Sequence, residues 1–289
     1  MNPNFVGVGA QKSGTSWIYA CLEEHPDICM PVKEIHYFSK QERFDKGLEW
    51  YGGHFKACKP GQIVGEFSTT YIHSEQALER IFEAYPECKI IVSIRDPISR
   101  AESHFNNDIR AGFISKSASF EQSLNETPEY WRRGLYHNKI NWLIEHFGRD
   151  KVYVAVLEDT TIDPARFISE IYNFLDVDPS FSPPALMRKI NISAIPRSVF
   201  LGRLLDNCAS LLRRLGLSRV IQFLRTKGFV ERVRKANMSS MEIAYDMPHW
   251  SLDILAKLEQ DRVLLEGLLA RSLAHWRSVE LFKGYDSKN

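Results

Sequence analysis

The sequence predicts an α/β fold: a central parallel sheet flanked by helices, with a helical C-terminal cap. Three observations predict it. Short apolar runs rich in β-branched residues alternate with longer segments of helical period. The informative polar residues directly follow those runs, where open parallel sheets bind their ligands. With 44% apolar residues over 289 positions, the chain can bury a sizeable core, and no linker, repeat or low-complexity stretch divides it. It is read as one domain, with a core over 1–178, a basic helical cap over 179–250 and a terminal helix and tail over 251–289.

In chain order, NFVGVGA (4–10) is a strand buried on both faces, and the period over 14–24 is a helix. HPDICMPVKEIHYFSK (25–40) is a loop, because Pro26, Asp27 and Pro31 break any helix. QIVGEFS (62–68) and KIIVSIR (89–95) are strands, each followed by a helix, over 73–84 and 97–111. A helix over 137–147 precedes the strand KVYVAVLED (151–159), and helices over 163–175 and 251–276 complete the pattern. Such alternation implies right-handed crossovers.

Composition bounds the setting. The first residues carry no basic region before their short apolar run, so no signal peptide is expected. No apolar run approaches about 18 residues, so no membrane span is expected. Cys21, Cys29, Cys58, Cys88 and Cys208 are scattered and odd in number, which predicts reduced thiols and a cytoplasmic protein. None stands at metal-ligand spacing with a histidine, so no metal site is expected. The net charge of +1 hides a basic segment: residues 188–235 hold twelve Lys or Arg and two acids, against 25 and 34 elsewhere. Within it, 198–216 has the period of an amphipathic basic helix. It is expected to pack on the core or to touch an anionic membrane surface or an anionic acceptor. No nucleic-acid partner is expected, and the oligomeric state is left open.

VGVGAQKSGTSW (6–17) has the outline of a phosphate-binding loop. A nucleotide triphosphatase places Lys directly after the second glycine. Here Gly9 and Gly14 keep the spacing, Thr15 takes that position, and the lysine is Lys12. Backbone amides and a helix dipole make an anion cradle of it. With the lysine on the loop, the pattern suits a smaller anion, attended by a protein cation rather than magnesium. Asp96, between Arg95 and Pro97, reads as turn chemistry rather than as a metal ligand.

Lys12-Ser13-Gly14-Thr15-Ser16-Trp17 resembles the 5′-phosphosulfate loop of sulfotransferases that use 3′-phosphoadenosine 5′-phosphosulfate (PAPS). The family's 3′-phosphate element, a strand-end Arg with a Ser eight residues later, is matched by Arg95 and Ser103 in IIVSIRDPISRAESHF. The resemblance implies a P-loop-like fold, with Lys12, Ser13, Gly14, Thr15, Ser16, Trp17, Arg95 and Ser103 holding PAPS without a metal. The K-E-x-H-x-F segment over 33–38 resembles that of heparan sulfate sulfotransferases. It implies Glu34 as general base, His36 as the alternative base and Lys33 as a neighbour. In-line sulfuryl transfer to a hydroxyl would then leave charge on a bridging oxygen that Lys12 stabilises. The implied acceptor is a glycan, glycolipid or other small metabolite.

One departure stands out. GEFSTTY (65–71) keeps Glu66, Ser68 and Tyr71 of the glycan enzymes' G-E-K-[ST]-P-x-Y pattern, but Phe67 replaces its lysine. This implies fewer cations and more apolar surface at the site. The family's adenine-side basic loop finds no match after residue 185. Two other classes remain: a P-loop small-molecule kinase, disfavoured by the displaced lysine, and a non-catalytic bisphosphate-binding module, disfavoured by the presence of Lys12 and Glu34.

Overall fold

The computed structural model describes residues 2–115, 117–187 and 250–286, together with short strands at 195–196 and 238–239. Two compact units emerge. The first holds residues 1–101, 127–190 and 250–289, and the second 102–126 and 191–249.

The first unit is built on a five-stranded sheet in the order β2-β3-β1-β4-β5. Its strands are β1 (Phe5–Gly9), β2 (Ile28–Cys29), β3 (Ile63–Phe67), β4 (Lys89–Ile94) and β5 (Val152–Val156). All pairings are parallel, with Val6 opposite both Glu66 and Ile90, and Ile94 opposite Val156. Alternate residues enter two separate cores. Val6, Val8, Ile90, Val92 and Ile94 pack on one side with Ile140, Leu143 and Trp276. Phe5, Phe67, Ile91 and Ala155 pack on the other with Trp17, Ile18, Phe167 and Ile171. Burial of both faces explains the unbroken apolar runs.

The predicted helices form as α1 (Thr15–Glu23), α4 (Glu75–Ala84), α5 (Pro97–Ala111), α8 (His137–Phe147) and α9 (Pro164–Phe174). Their starts have identifiable caps. Ser74 accepts from the Ala77 amide and Asp163 from the Arg166 amide, while Pro97 and Pro164 occupy first-turn positions. The sequence pattern does not reveal four short helices: α2 (Gln41–Phe44), α3 (Gly47–Gly53), α6 (Phe120–Glu126) and α7 (Glu129–Arg132).

Three expectations are corrected. The 25–40 segment is mostly loop, yet Ile28–Cys29 pairs with Ile63–Val64 as an edge strand. The terminal helix is two: α10 (Leu252–Leu269) stops where Ala270 turns left-handed, and α11 (Arg277–Asp286) follows. The break lets Arg271 form a two-pronged ion pair with Asp159, both contacts at 2.8 Å, while Leu273 and Trp276 enter the core. Finally, Cys29 and Cys58 form a disulfide, joining the edge strand to the segment before β3; Cys21 and Cys88 are in no disulfide. Twenty-nine residues apart, the pair is brought together only by the β2–β3 pairing.

In the second unit, the Phe105 and Phe120 rings meet at 5.0 Å, and Ile195–Pro196 pairs antiparallel with Met238–Ser239. The basic segment over 188–235 and its amphipathic stretch lie outside the described residues. Among the described residues no helix is long and apolar enough to cross a membrane, and no group of His, Cys, Asp and Glu is arranged to hold a metal ion.

Candidate active site

Lys12, Ser13, Thr15, Ser16, Glu34, His36 and Arg95 lie at the carboxyl ends of β1, β3 and β4. After β1, the chain makes a tight loop into α1. Gly14 precedes the helix with φ 76°, and a side chain there would strike Leu157. Only glycine fits both the backbone and the space. No side chain caps α1, so the positive dipole end of the helix is turned to the loop. Ser13 is fully buried, and its carbonyl accepts from the Ser93 hydroxyl. Lys12 sits on the loop with φ 70°, half-buried.

Trp17 serves the core. Its indole donates to the Ala185 carbonyl at 3.1 Å and its amide to Gly14 at 2.9 Å, so both donors are engaged within the protein.

The segment after β2 extends the sheet for one step, because Lys33 bridges Phe67 in parallel register. The Glu34 amide donates to the Phe67 carbonyl at 3.1 Å, and its carboxylate meets Thr69 Oγ1 at 3.1 Å and His36 Nε2 at 3.0 Å. His36 Nδ1 lies 3.0 Å from Thr70 Oγ1. Burial raises the Glu34 pKa, but the His36 contact, the Lys33 charge and the Thr69 hydroxyl outweigh it and hold it below the ordinary value.

Beneath this pair lies Glu66, fully buried. It accepts from Tyr71 and Ser68 hydroxyls at 2.7 Å each and from Tyr51 at 3.2 Å. Burial still raises its pKa. Ser68 Oγ in turn accepts the His36 amide at 2.9 Å, so Glu66 organises the loop that carries the candidate base. Phe67 points the other way, into the second core, its ring filling the space above Gly7. The expected apolar surface from Phe67 is therefore absent: the side chain is fully buried.

Five non-glycine residues hold left-handed backbone among the described residues, and three of them are Lys12, Glu34 and His36. Such conformations cost about 1–3 kcal/mol each and gather at functional sites.

Arg95 follows β4, half-buried, with Nη1 3.4 Å from the Lys12 carbonyl. Asp96, read from the sequence as turn chemistry, accepts the amides of Ser99 at 2.7 Å and Ser278 at 2.9 Å. Ser103 lies on α5 in the second unit, and its pairing with Arg95 stays a reading from spacing.

The sequence reading missed Gln11, Arg100, Arg133 and Tyr136. Arg133 donates to Gln11 Oε1 at 2.7 Å, and the Tyr136 hydroxyl to the Arg95 carbonyl at 2.9 Å. Fully buried Arg100 donates to the Tyr130 carbonyl; burial, with the charges of Arg133 and Arg95 adding, pulls it down to about 10. Only Gly134 signals this cluster. A Cβ there would lie 2.7 Å from Pro97, so glycine lets this turn close on the start of α5.

A sulfotransferase domain model matches residues 3–191. The chain belongs to the sulfotransferase domain family. This sulfotransferase-family chain is 31% identical over 180 residues to heparan sulfate glucosamine 3-O-sulfotransferase 6 of Mus musculus, covering 60% of this chain and 52% of that protein. Bifunctional heparan sulfate N-deacetylase/N-sulfotransferase 4 of Mus musculus is 27% identical over 202 residues, covering 62% and 23%. The chain thus spans about half the length or less of these relatives. A sulfotransferase from Alicyclobacillus acidocaldarius superposes with a TM-score of 0.66 at 24% identity, covering 96% of this chain and 99% of that one, and shares the fold.

Proposed function

We propose that the chain transfers the sulfuryl group of PAPS to a hydroxyl of a glycan, glycolipid or other small metabolite. The observation that carries this reading is the convergence, at one end of the sheet, of an uncapped anion loop bearing Lys12 with the Glu34–His36 pair. Lys12 and the loop residues Ser13 to Ser16 would hold the phosphosulfate. Arg95, with Ser103, would take the 3′-phosphate. The acceptor hydroxyl would lose its proton to Glu34 as its oxygen bonds to sulfur. The bond from sulfur to the bridging oxygen breaks with its electron pair going to the 5′-phosphate, and the charge there is met by Lys12. His36, hydrogen-bonded to Glu34, would steady the carboxylate. The relatives' names support a carbohydrate acceptor, and one of them names an N-sulfotransferase, so an amine is tested beside hydroxyls.

A cytoplasmic setting is supported by Cys21 and Cys88 remaining outside any disulfide, while the Cys29–Cys58 bond weighs against it. The proposed contact of residues 188–235 with an anionic membrane surface rests on their basic composition. Transfer of labelled sulfate from PAPS to a panel of glycosaminoglycan oligosaccharides, glycolipids, phenols and amines tests the reading. A labelled product is expected from at least one carbohydrate or lipid member. No product from any member, with no binding of 3′,5′-bisphosphoadenosine (PAP), would overturn it.

A further inference from the structure

Lys33 joins the two halves of the site. Its backbone bridges Phe67 at the end of β3, while its ammonium donates to Ser16 Oγ at 2.7 Å and lies 5.7 Å from the Tyr19 ring. Both partners belong to the opening turns of α1, directly behind the anion loop. Glu34, the next residue, turns through left-handed backbone toward Thr69 and His36. Adjacent residues thus send a cation to the loop and a carboxylate to the strand end. The ammonium is partly buried against a neutral hydroxyl, while the neighbouring carboxylate is committed to His36 and Thr69. Holding a desolvated cation there is costly unless an anion meets it.

We propose that Lys33 is a second catalytic cation, meeting the non-bridging oxygens of the transferring sulfuryl group while Lys12 serves the leaving phosphate. The inference rests on the function proposed above. Lys33 moves no proton: the acceptor's proton goes to Glu34, and the electron pair of the broken bond goes to the 5′-phosphate. Two cations would spread the charge that in-line transfer displaces. Burial lowers the Lys33 pKa and Glu34 raises it back in part, so the ammonium loses its proton at lower pH than an ordinary lysine. The other groups facing it are Ser16 and Tyr19 of α1, and Tyr19 stays neutral because burial raises its pKa while its hydroxyl donates to the Met30 carbonyl.

Wild type, Lys33→Ala, Lys33→Met and Lys33→Arg are compared for PAPS turnover with the acceptor found in the panel, or with water, and for PAP affinity by calorimetry. Both neutral variants should lose about 10²–10³-fold in kcat, as when an oxyanion donor is removed, with PAP Kd changed less than about threefold. Lys33→Met keeps the aliphatic stem beside Tyr19, so matching losses in both variants are not due to unfolding. Lys33→Arg should recover at least about a tenth of the rate and move the alkaline limb of the pH profile upward, because guanidinium keeps its proton. Turnover of Lys33→Met within about fivefold of wild type would overturn the role. So would a PAP affinity that falls in step with kcat, since Lys33 would then only hold Ser16 and the loop. Failure of wild type to bind PAP would instead overturn the sulfotransferase reading.

Discussion

Lys12, Glu34 and His36 share an uncommon backbone conformation, and each has a separable consequence when changed. Lys12→Ala should cut sulfuryl transfer by about 10²–10³-fold while PAP affinity falls much less, because its work lies in the transition state. Steady-state kinetics beside calorimetry reads this split; near-normal turnover would remove Lys12 from the mechanism. Glu34→Gln keeps the shape but cannot accept a proton, so PAP affinity should persist while transfer is lost. The pH profile separates Glu34 from His36. The Glu34 pKa is held below its ordinary value of about 4.5, so with Glu34 as base the acid limb should lie below about pH 5, and the rate should be level from there up to the alkaline limb assigned to Lys33. An acid limb at clearly higher pH than that, together with an inactive His36→Ala and an active Glu34→Gln, would transfer the role to His36.

At the scale of elements, the strand ends position everything. Arg95 leaves β4 beside the anion loop, and Arg95→Ala should weaken PAPS binding by about 2–5 kcal/mol, as for loss of one partner of a desolvated charge pair. Preference for PAP over adenosine 5′-phosphate should shrink with it; an unchanged preference would refute the assignment. The disulfide belongs to this scale as well. It closes a loop of 29 residues between the edge strand and the chain before β3. Cys29→Ser should therefore lower stability by about 2–4 kcal/mol, measured by thermal melting against a reduced wild-type control. Equal melting of oxidised and reduced protein would show that the sheet alone fixes this edge.

Strands β1, β3, β4 and β5 and the helices beside them were legible because burial on two faces and helical period leave strong marks over five or more residues. Lys12, Glu34 and Arg95 were legible because they sit in local motifs at strand ends. The disulfide was not, since only the β2–β3 pairing brings Cys29 to Cys58. Phe67 was misjudged because alternation along β3, invisible in a motif, sends its ring to the core and leaves Glu66 beneath the site. The Arg95–Arg100–Arg133 cluster is assembled from a strand end, α5 and the residue after α7, a gathering of distant positions that no short pattern encodes.

The candidate site lies at the carboxyl ends of β1, β3 and β4 in the first unit, whose sheet is buried between two separate cores. The site also gathers positive charge: Lys12, Lys33, Arg95, Arg100 and Arg133 lie within or beside the loop, which should draw in a polyanionic nucleotide. That charge is supplied by the protein itself, which is the central difference from a magnesium-dependent kinase built on a similar loop. Calorimetric titration of the intact chain with PAP and with ATP, each with and without magnesium, tests it most directly. PAP should bind without magnesium, at least about tenfold more tightly than ATP under either condition. Tight ATP binding that requires magnesium, with PAP weak or silent, would contradict it.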